Sequence, residues 1–148
     1  MRRREHTAKI RNQSLAKCRP FSSVWQASTL LDCTERRIYH DVQAGRLPLA
    51  FDLSYRGDRL FLRVATASVV AVQRRRPPAA ELAPFLAEIA PETKISFRVP
   101  ELARMWQCDP DHIYHLLADG ILEDIGGATR YRVPRDSVMR FLAERRVK

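Results

Sequence analysis

Thr34–Leu47, TERRIYHDVQAGRL, decides how this chain is read. Thr34 is a good N-cap residue, because its hydroxyl can accept from an unpaired amide of a first helical turn. Ile38 and Val42 are four apart and share one helix face. Gly45 suits the left-handed position at which helices end. The arrangement returns 75 residues later as Asp109–Leu122, DPDHIYHLLADGIL. There Asp109 takes the cap and Pro110 the first helical position, where its missing N–H costs nothing. Ile113, Leu116 and Leu117 form the inner stripe, and Gly120 the stop. Both copies hold Ile-Tyr-His at the centre, a glycine six residues after the tyrosine and a leucine two beyond.

The repetition spreads outward from these stretches. Before the first, Ser22 and Ser23 offer caps ahead of Val24, Ala27, Leu30 and Leu31, and Asp32-Cys33 makes a tight turn. After it, Leu47, Leu49, Phe51 and Leu53 alternate, which places them on one side of a strand. Arg56-Gly57-Asp58 is a turn signal. Leu60, Leu62 and Val64 return along a second strand, and Thr66 can cap a last helix running through Val69, Val70 and Val72 to Arg76. The second copy follows suit. Val99, Leu102, Met105 and Trp106 predict a helix, Gln107-Cys108 a turn, and Ile121–Ile125 with Tyr131–Val133 a shorter hairpin about Gly126-Gly127. Asp136–Arg146 predicts a final helix with Val138, Phe141 and Leu142 inward. The copies align without a gap from Val24 against Val99 to Leu47 against Leu122. They realign at Arg63-Val64 against Arg132-Val133, with the offset reduced from 75 to 69, so the first hairpin is six residues longer. Such repetition marks duplicated units.

Four segments result. Residues 1–20 form a basic flexible arm, 21–76 the first unit, 77–94 a linker rich in Pro and Ala, and 95–148 the second unit. In the linker, Leu82, Phe85, Leu86 and Ile89 fall on one face of a short amphipathic helix. It is expected to pack within the chain, with a second chain as the alternative. Stretched out at about 3.3 Å per residue, the linker could also hold the two units about 34 Å apart. The expected class is mainly α with small β-hairpins.

Net charge is +9 over 148 residues, which suggests a polyanionic partner. Residues 1–20 carry seven Lys/Arg against one Glu, and 21–76 carry nine against five. Residues 77–94 are net −2 and 95–148 net +1, so the excess belongs to the first half. Cys18, Cys33 and Cys108 show no paired metal-ligand or redox spacing. The chain has no apolar run long enough for a membrane span and no signal-peptide pattern, so a cytoplasmic, nucleoid-associated protein is expected. No nucleophile elbow, phosphate loop, paired-carboxylate motif or H-E-x-x-H is present. An enzyme, a metal and a cofactor are not expected.

The second unit resembles the excisionase-like and MerR-like winged helix-turn-helix domains. Their pattern runs from a Val-x-Glu-x-Ala helix and a small-residue turn to a helix containing Val-Tyr, a Gly-x-Leu exit, a basic wing ending Arg-x-Pro, and a closing helix with an aromatic-Leu pair. Glu101, Ala103, Cys108, Asp109, Ile113, Tyr114, Gly120, Leu122, Arg132, Pro134, Phe141 and Leu142 occupy those places. The first unit follows the same plan, with Ala65 in place of the proline and Val72-Gln73 in place of the aromatic-Leu pair. The resemblance implies a tandem winged helix-turn-helix protein of bacterial or phage type. It implies that the second helix of each unit enters the major groove of double-stranded DNA and that the wing lies near the backbone. Members regulate transcription, or bend DNA for the integrase of a mobile genetic element. The effector-binding and long coiled-coil segments of MerR-like proteins are absent.

With Ile38 and Val42 inward, Arg36, His40 and Gln43 face out and Arg37 flanks them. Arginine suits guanine and glutamine suits adenine. Tyr39 and Tyr114 are expected to pack and to reach phosphate with their hydroxyls. Arg56, Arg59 and Arg63 are the basic residues of the first wing, and Arg130, Arg132 and Arg135 those of the second. In the second unit Asp111, His115 and Ala118 face out, with His112 on the flank. Asp109, Asp119, Glu123 and Asp124 around them oppose phosphate, so that unit is expected either to dock through its wing or to bind protein. The arm adds Arg2, Arg3, Arg4, Lys9 and Arg11. Trp25 and Trp106 are expected in the core, and Cys33 and Cys108 as inert turn packing. The expectation is a sequence-specific DNA-binding regulator of transcription. The alternatives are an excisionase-type factor partnered by an integrase, and an adaptor whose second unit binds RNA polymerase or another copy of itself.

Overall fold

The computed structural model describes residues 19–54, 61–126 and 130–147. The described residues form a mixed α/β fold with seven helices and small antiparallel sheets, and are about 51% helical. Residues 1–18 of the predicted arm and the tips of both hairpins lie outside the described residues, and with them Arg2, Arg3, Arg4, Lys9, Arg11, Arg56 and Arg59.

The first repeat opens with β1 (Phe21–Ser23), α1 (Val24–Leu31) and α2 (Glu35–Gln43). Ser23 caps α1 and completes a capping box with Gln26, satisfying two orphan donors reciprocally. Thr34 Oγ1 accepts from the Arg37 amide at the head of α2. β2 (Ala50–Asp52), β3 (Leu62–Ala65) and α3 (Thr66–Gln73) complete the repeat. The linker folds into α4 (Leu82–Ile89). The second repeat runs β4 (Ser96–Phe97), α5 (Val99–Trp106), α6 (Pro110–Ala118), β5 (Val133–Pro134) and α7 (Arg135–Arg145). Asp109 caps α6 with Pro110 in its first turn.

The duplication is visible in the backbone itself. Asp32 and Gln107, 75 residues apart, end α1 and α5 in the left-handed conformation at φ 50° and 55°. Gly45 and Gly120, also 75 apart, have φ 78° and 73°. β1 pairs with β3 through Phe21–Ala65 and Ser22–Val64, and β4 pairs with β5 through Ser96–Pro134 and Phe97–Val133. These are the same pairs under the 75 and 69 offsets.

The two apolar clusters do not divide at the linker. One joins Val24, Ala27, Ile38, Val42, Leu47, Ala50, Leu62, Val64 and Val69. The other takes Phe21, Leu49, Phe51, Leu53 and Ala65 from the first repeat, Phe85 and Leu86 from α4, and the whole inner stripe of the second repeat. The pleat sorts them, because successive side chains on a strand point to opposite faces. Ala50 faces the α1–α2 side, and Phe51 faces the second repeat. The β1-β3-β2 sheet is therefore a wall buried on both sides, and Phe21, Phe51 and Phe85 meet on it with ring centroids 5.5–5.7 Å apart.

Several sequence expectations are corrected by this arrangement. Leu47, Leu49, Phe51 and Leu53 do not all share one side: Leu47 joins the cluster of Ala50, the other three join the opposite cluster, and Ala50 and Asp52 are buried too. β1 and β4 were not foreseen. Thr66 begins α3 but does not cap it; its hydroxyl instead bonds that of Ser22 at 2.6 Å, both buried. In the second repeat the outgoing hairpin arm forms no strand, holding to its partner through the Ile125 amide and Arg132 carbonyl. The linker is not extended. As expected it packs within the chain, so the spacing of α2 and α6 is set by shared packing rather than by its reach.

Polar contacts reinforce the junction. Gln107 accepts from Gln26 and donates to the Phe21 carbonyl. Beyond α7, Arg146 bridges to Phe51 on the free edge of β2. Its guanidinium reaches the Pro48 carbonyl, and the Val147 amide bonds Ala50. An edge strand leaves backbone groups unpaired, and this closure covers them.

Candidate nucleic-acid interface

The outer face of α2 is formed as the helical spacing predicts. Ile38 and Val42 are buried, while Arg36, Arg37, His40 and Gln43 are exposed. Arg36 makes no ion pair or side-chain hydrogen bond among the described residues. Asp41, nearly buried beneath this face, accepts from Arg37 Nε at 3.1 Å and Arg46 Nη1 at 2.9 Å. His40 Nδ1 lies 3.7 Å from the same oxygen. The carboxylate thus orders two guanidinium groups that remain more than half exposed. Exposed pairs of this kind add at most about 1 kcal/mol to stability, so their consequence is positional. Tyr39 is two-fifths exposed beside them.

Arg46 and the Arg74–Arg76 run were absent from the sequence-derived set. Arg75 follows α3 at φ 57° and lines a shallow cavity together with Arg37 and Asp41. A second depression holds Arg46, Arg75 and Arg76. The available signals were the triple arginine itself and the place of Arg46 directly after the Gly45 stop.

Three of the sequence-derived residues are turned to internal work. Arg63 donates from Nε to the Trp106 carbonyl and from Nη2 to the Gln107 carbonyl, both at 2.8 Å. Its guanidinium lies over the Phe61 ring, and burial lowers its pKa. It closes the C-terminal end of α5, where carbonyls lack helical partners. His112 Nε2 donates to the Leu53 carbonyl at 2.6 Å, and its ring stacks on Phe61. Arg135 Nε donates to the Ala90 carbonyl at 2.7 Å. These three hold the repeats and linker together, in place of the DNA-facing role the sequence suggested.

The surroundings of α6 are acidic, with Asp111 on the helix and the other carboxylates at or beyond its end. Asp111, Asp119, Glu123 and Asp124 are exposed, as is His115. Beside it, Tyr114 and Tyr131, 41% and 51% exposed, meet edge to face at 5.3 Å. They line a cleft of about 400 Å³ with Arg98, Arg130 and Arg132 at the head of α5. Arg98 was not foreseen, since it precedes the helix and lies far from the hairpin in sequence. Glu101, nearby, is desolvated, which raises its pKa, but Lys94 and the Arg98 amide hold it below the usual range.

Trp106 is fully buried, as expected. Trp25 is 65% exposed, contrary to expectation; it lies one residue off the Val24–Ala27–Leu31 stripe. Burial raises the Cys33 and Cys108 thiols, the latter to about 11, so both are poor nucleophiles at neutral pH. Among the described residues no group of three or more His, Cys, Asp or Glu could hold a metal ion, and no helix is long and apolar enough to cross a membrane. Comparison with protein-family models, curated proteins and solved structures finds no match.

Proposed function

We propose that the chain is a sequence-specific DNA-binding regulator of transcription, built as two winged helix-turn-helix units, with α2 as its principal reading helix. The observation that carries this is the outward set Arg36, Arg37, His40 and Gln43 on a helix capped at both ends and backed by a buried stripe. Arg36 and Gln43 present donor and acceptor patterns that match base edges in the major groove. Arg46 and Arg74–Arg76 would neutralise backbone phosphates beside it. In-vitro site selection followed by footprinting tests the reading. Arg36→Ala should cost about 1–3 kcal/mol of specific binding. Unchanged affinity in that variant would remove α2 as the reader.

A second reading, an adaptor that binds polymerase or another copy around α6, is favoured by exposed Asp111 on that helix and by Asp119, Glu123 and Asp124 beyond its end. Deleting residues 95–148 cannot test it, because they supply most of a core shared with the first repeat. Asp111→Lys can: on the adaptor reading it abolishes activation in a reporter assay and leaves DNA affinity intact.

A further inference from the structure

We infer that the cleft of Arg98, Arg130, Arg132, Tyr114 and Tyr131 is a phosphate clamp, through which the second repeat grips the DNA backbone without reading bases; this rests on the DNA-binding reading above. The cleft joins the head of α5, the middle of α6 and the hairpin arm. No ion pair engages its three guanidinium groups among the described residues. The neighbouring carboxylates are occupied. Glu101 takes the Lys94 ammonium and the Arg98 amide, and one Asp124 oxygen accepts from the Gly126 and Arg132 amides. Three cations without counter-charges repel one another, and an anion relieves that repulsion. Arginine forks bind phosphate oxygens in pairs, and the two exposed tyrosine hydroxyls add donors.

The duplication provides an internal control. Under the two offsets, Arg98, Arg130 and Tyr131 correspond to Ser23, Phe61 and Leu62. Arg132 corresponds to Arg63, which is turned inward on the α5 carbonyls. The fold therefore closes without solvent-facing arginines at this place, and those of the second repeat are not required by packing. The same repeat carries Asp111 on its outer helix face, where base reading would occur, and Asp119, Glu123 and Asp124 beyond the helix end. Backbone gripping by the cleft and base reading by α2 are thus assigned to different copies.

The experiment uses the full chain and two duplexes, one of selected sequence and one unrelated, at about 50–200 mM salt. Arg98 and Arg130 are exposed, so the variant carrying Arg98→Ala and Arg130→Ala is expected to fold, and its urea midpoint checks this. Two lost phosphate contacts lower the log–log salt slope by about 1.8, which is about 30-fold in affinity at 0.15 M salt. That loss should be equal for both duplexes, and Arg98→Lys with Arg130→Lys should restore most of it. Unchanged affinity, or a loss confined to the selected duplex, overturns the clamp. If Arg36→Ala impairs binding and the cleft variant does not, the clamp alone falls. If the wild type binds neither duplex, both readings fall, and a phosphopeptide held through Arg98 and Arg130 would identify the cleft as a protein site.

Discussion

Replacing Arg63 by alanine tests whether the two repeats behave as one cooperative body. The guanidinium donates two bonds of 2.8 Å to the Trp106 and Gln107 carbonyls, and its face lies 4.3 Å from the Phe61 ring centre. A hydrogen bond from a charged donor contributes about 1.5–3 kcal/mol. Truncation leaves two carbonyls at a helix end with only whatever water enters to satisfy them. Against this, removing a desolvated cation relieves part of the cost of burying it. The expected net destabilisation is about 2–4 kcal/mol, a large share of the roughly 5–15 kcal/mol that holds a typical chain folded. Arg63→Lys keeps the charge but not the fork, and should recover less than half. Urea unfolding followed by fluorescence is suited to this, since Trp106 is fully buried and Trp25 is largely exposed. The loss should come as a lower midpoint in a single transition, with the salt slope of DNA binding by the folded variant unchanged. A wild-type midpoint, or a reduced salt slope in the folded variant, would refute the reasoning and return Arg63 to the proposed DNA-binding surface.

Phe51→Ala should cost about 3–5 kcal/mol, because the ring is fully buried against Phe21 and Phe85; calorimetry should show both repeats melting together earlier. Gly45→Ala should destabilise by about 1–2 kcal/mol through backbone strain alone, since φ is 78° and an added methyl group meets nothing within 4 Å; chemical denaturation measures it. The Cys108 thiol, held up at about 11 against an ordinary 9.0, should alkylate far more slowly at pH 8 than an unfolded cysteine, as mass spectrometry of a Cys18→Ser, Cys33→Ser variant can check. A raised pKa stabilises the fold below pH 9.0 and loses that contribution as pH rises toward 11, so midpoints should fall across that window.

Local chemistry made much of this structure legible. Thr34, Asp109, Gly45 and Gly120 each do what their side chains favour, and the inner stripes of α2 and α6 follow from spacing. Pairing between the repeats was legible only by offset, which placed Arg63 against Arg132 but could not say that one turns inward. That outcome depends on where the end of α5 lies, a tertiary fact. β1 was missed because Ser22 and Ser23 read as helix caps. Ser23 is one, and it is also the last residue of the strand. The double-sided burial of the sheet was missed because Ala50 and Asp52 do not look like core residues. The charged face of α2 was readable from the sequence, whereas the cleft beside Arg98 was not, since it assembles from three separated segments.

The doubly buried sheet constrains how such a chain can be rearranged. Phe21, Phe51 and Leu53 belong to the first copy but are covered by the second. A first copy cut free would present them to water as an apolar face that invites association. It could not be moved as an autonomous module into another protein, and a single-copy ancestor with this sheet would have had to cover it by pairing with another chain. Joining the copies by residues 77–94 turns that encounter into an intramolecular one at high effective concentration. Once the pairing is guaranteed, the helices no longer need to be alike, which leaves α2 free to gain basic residues while the surroundings of α6 gain acidic ones.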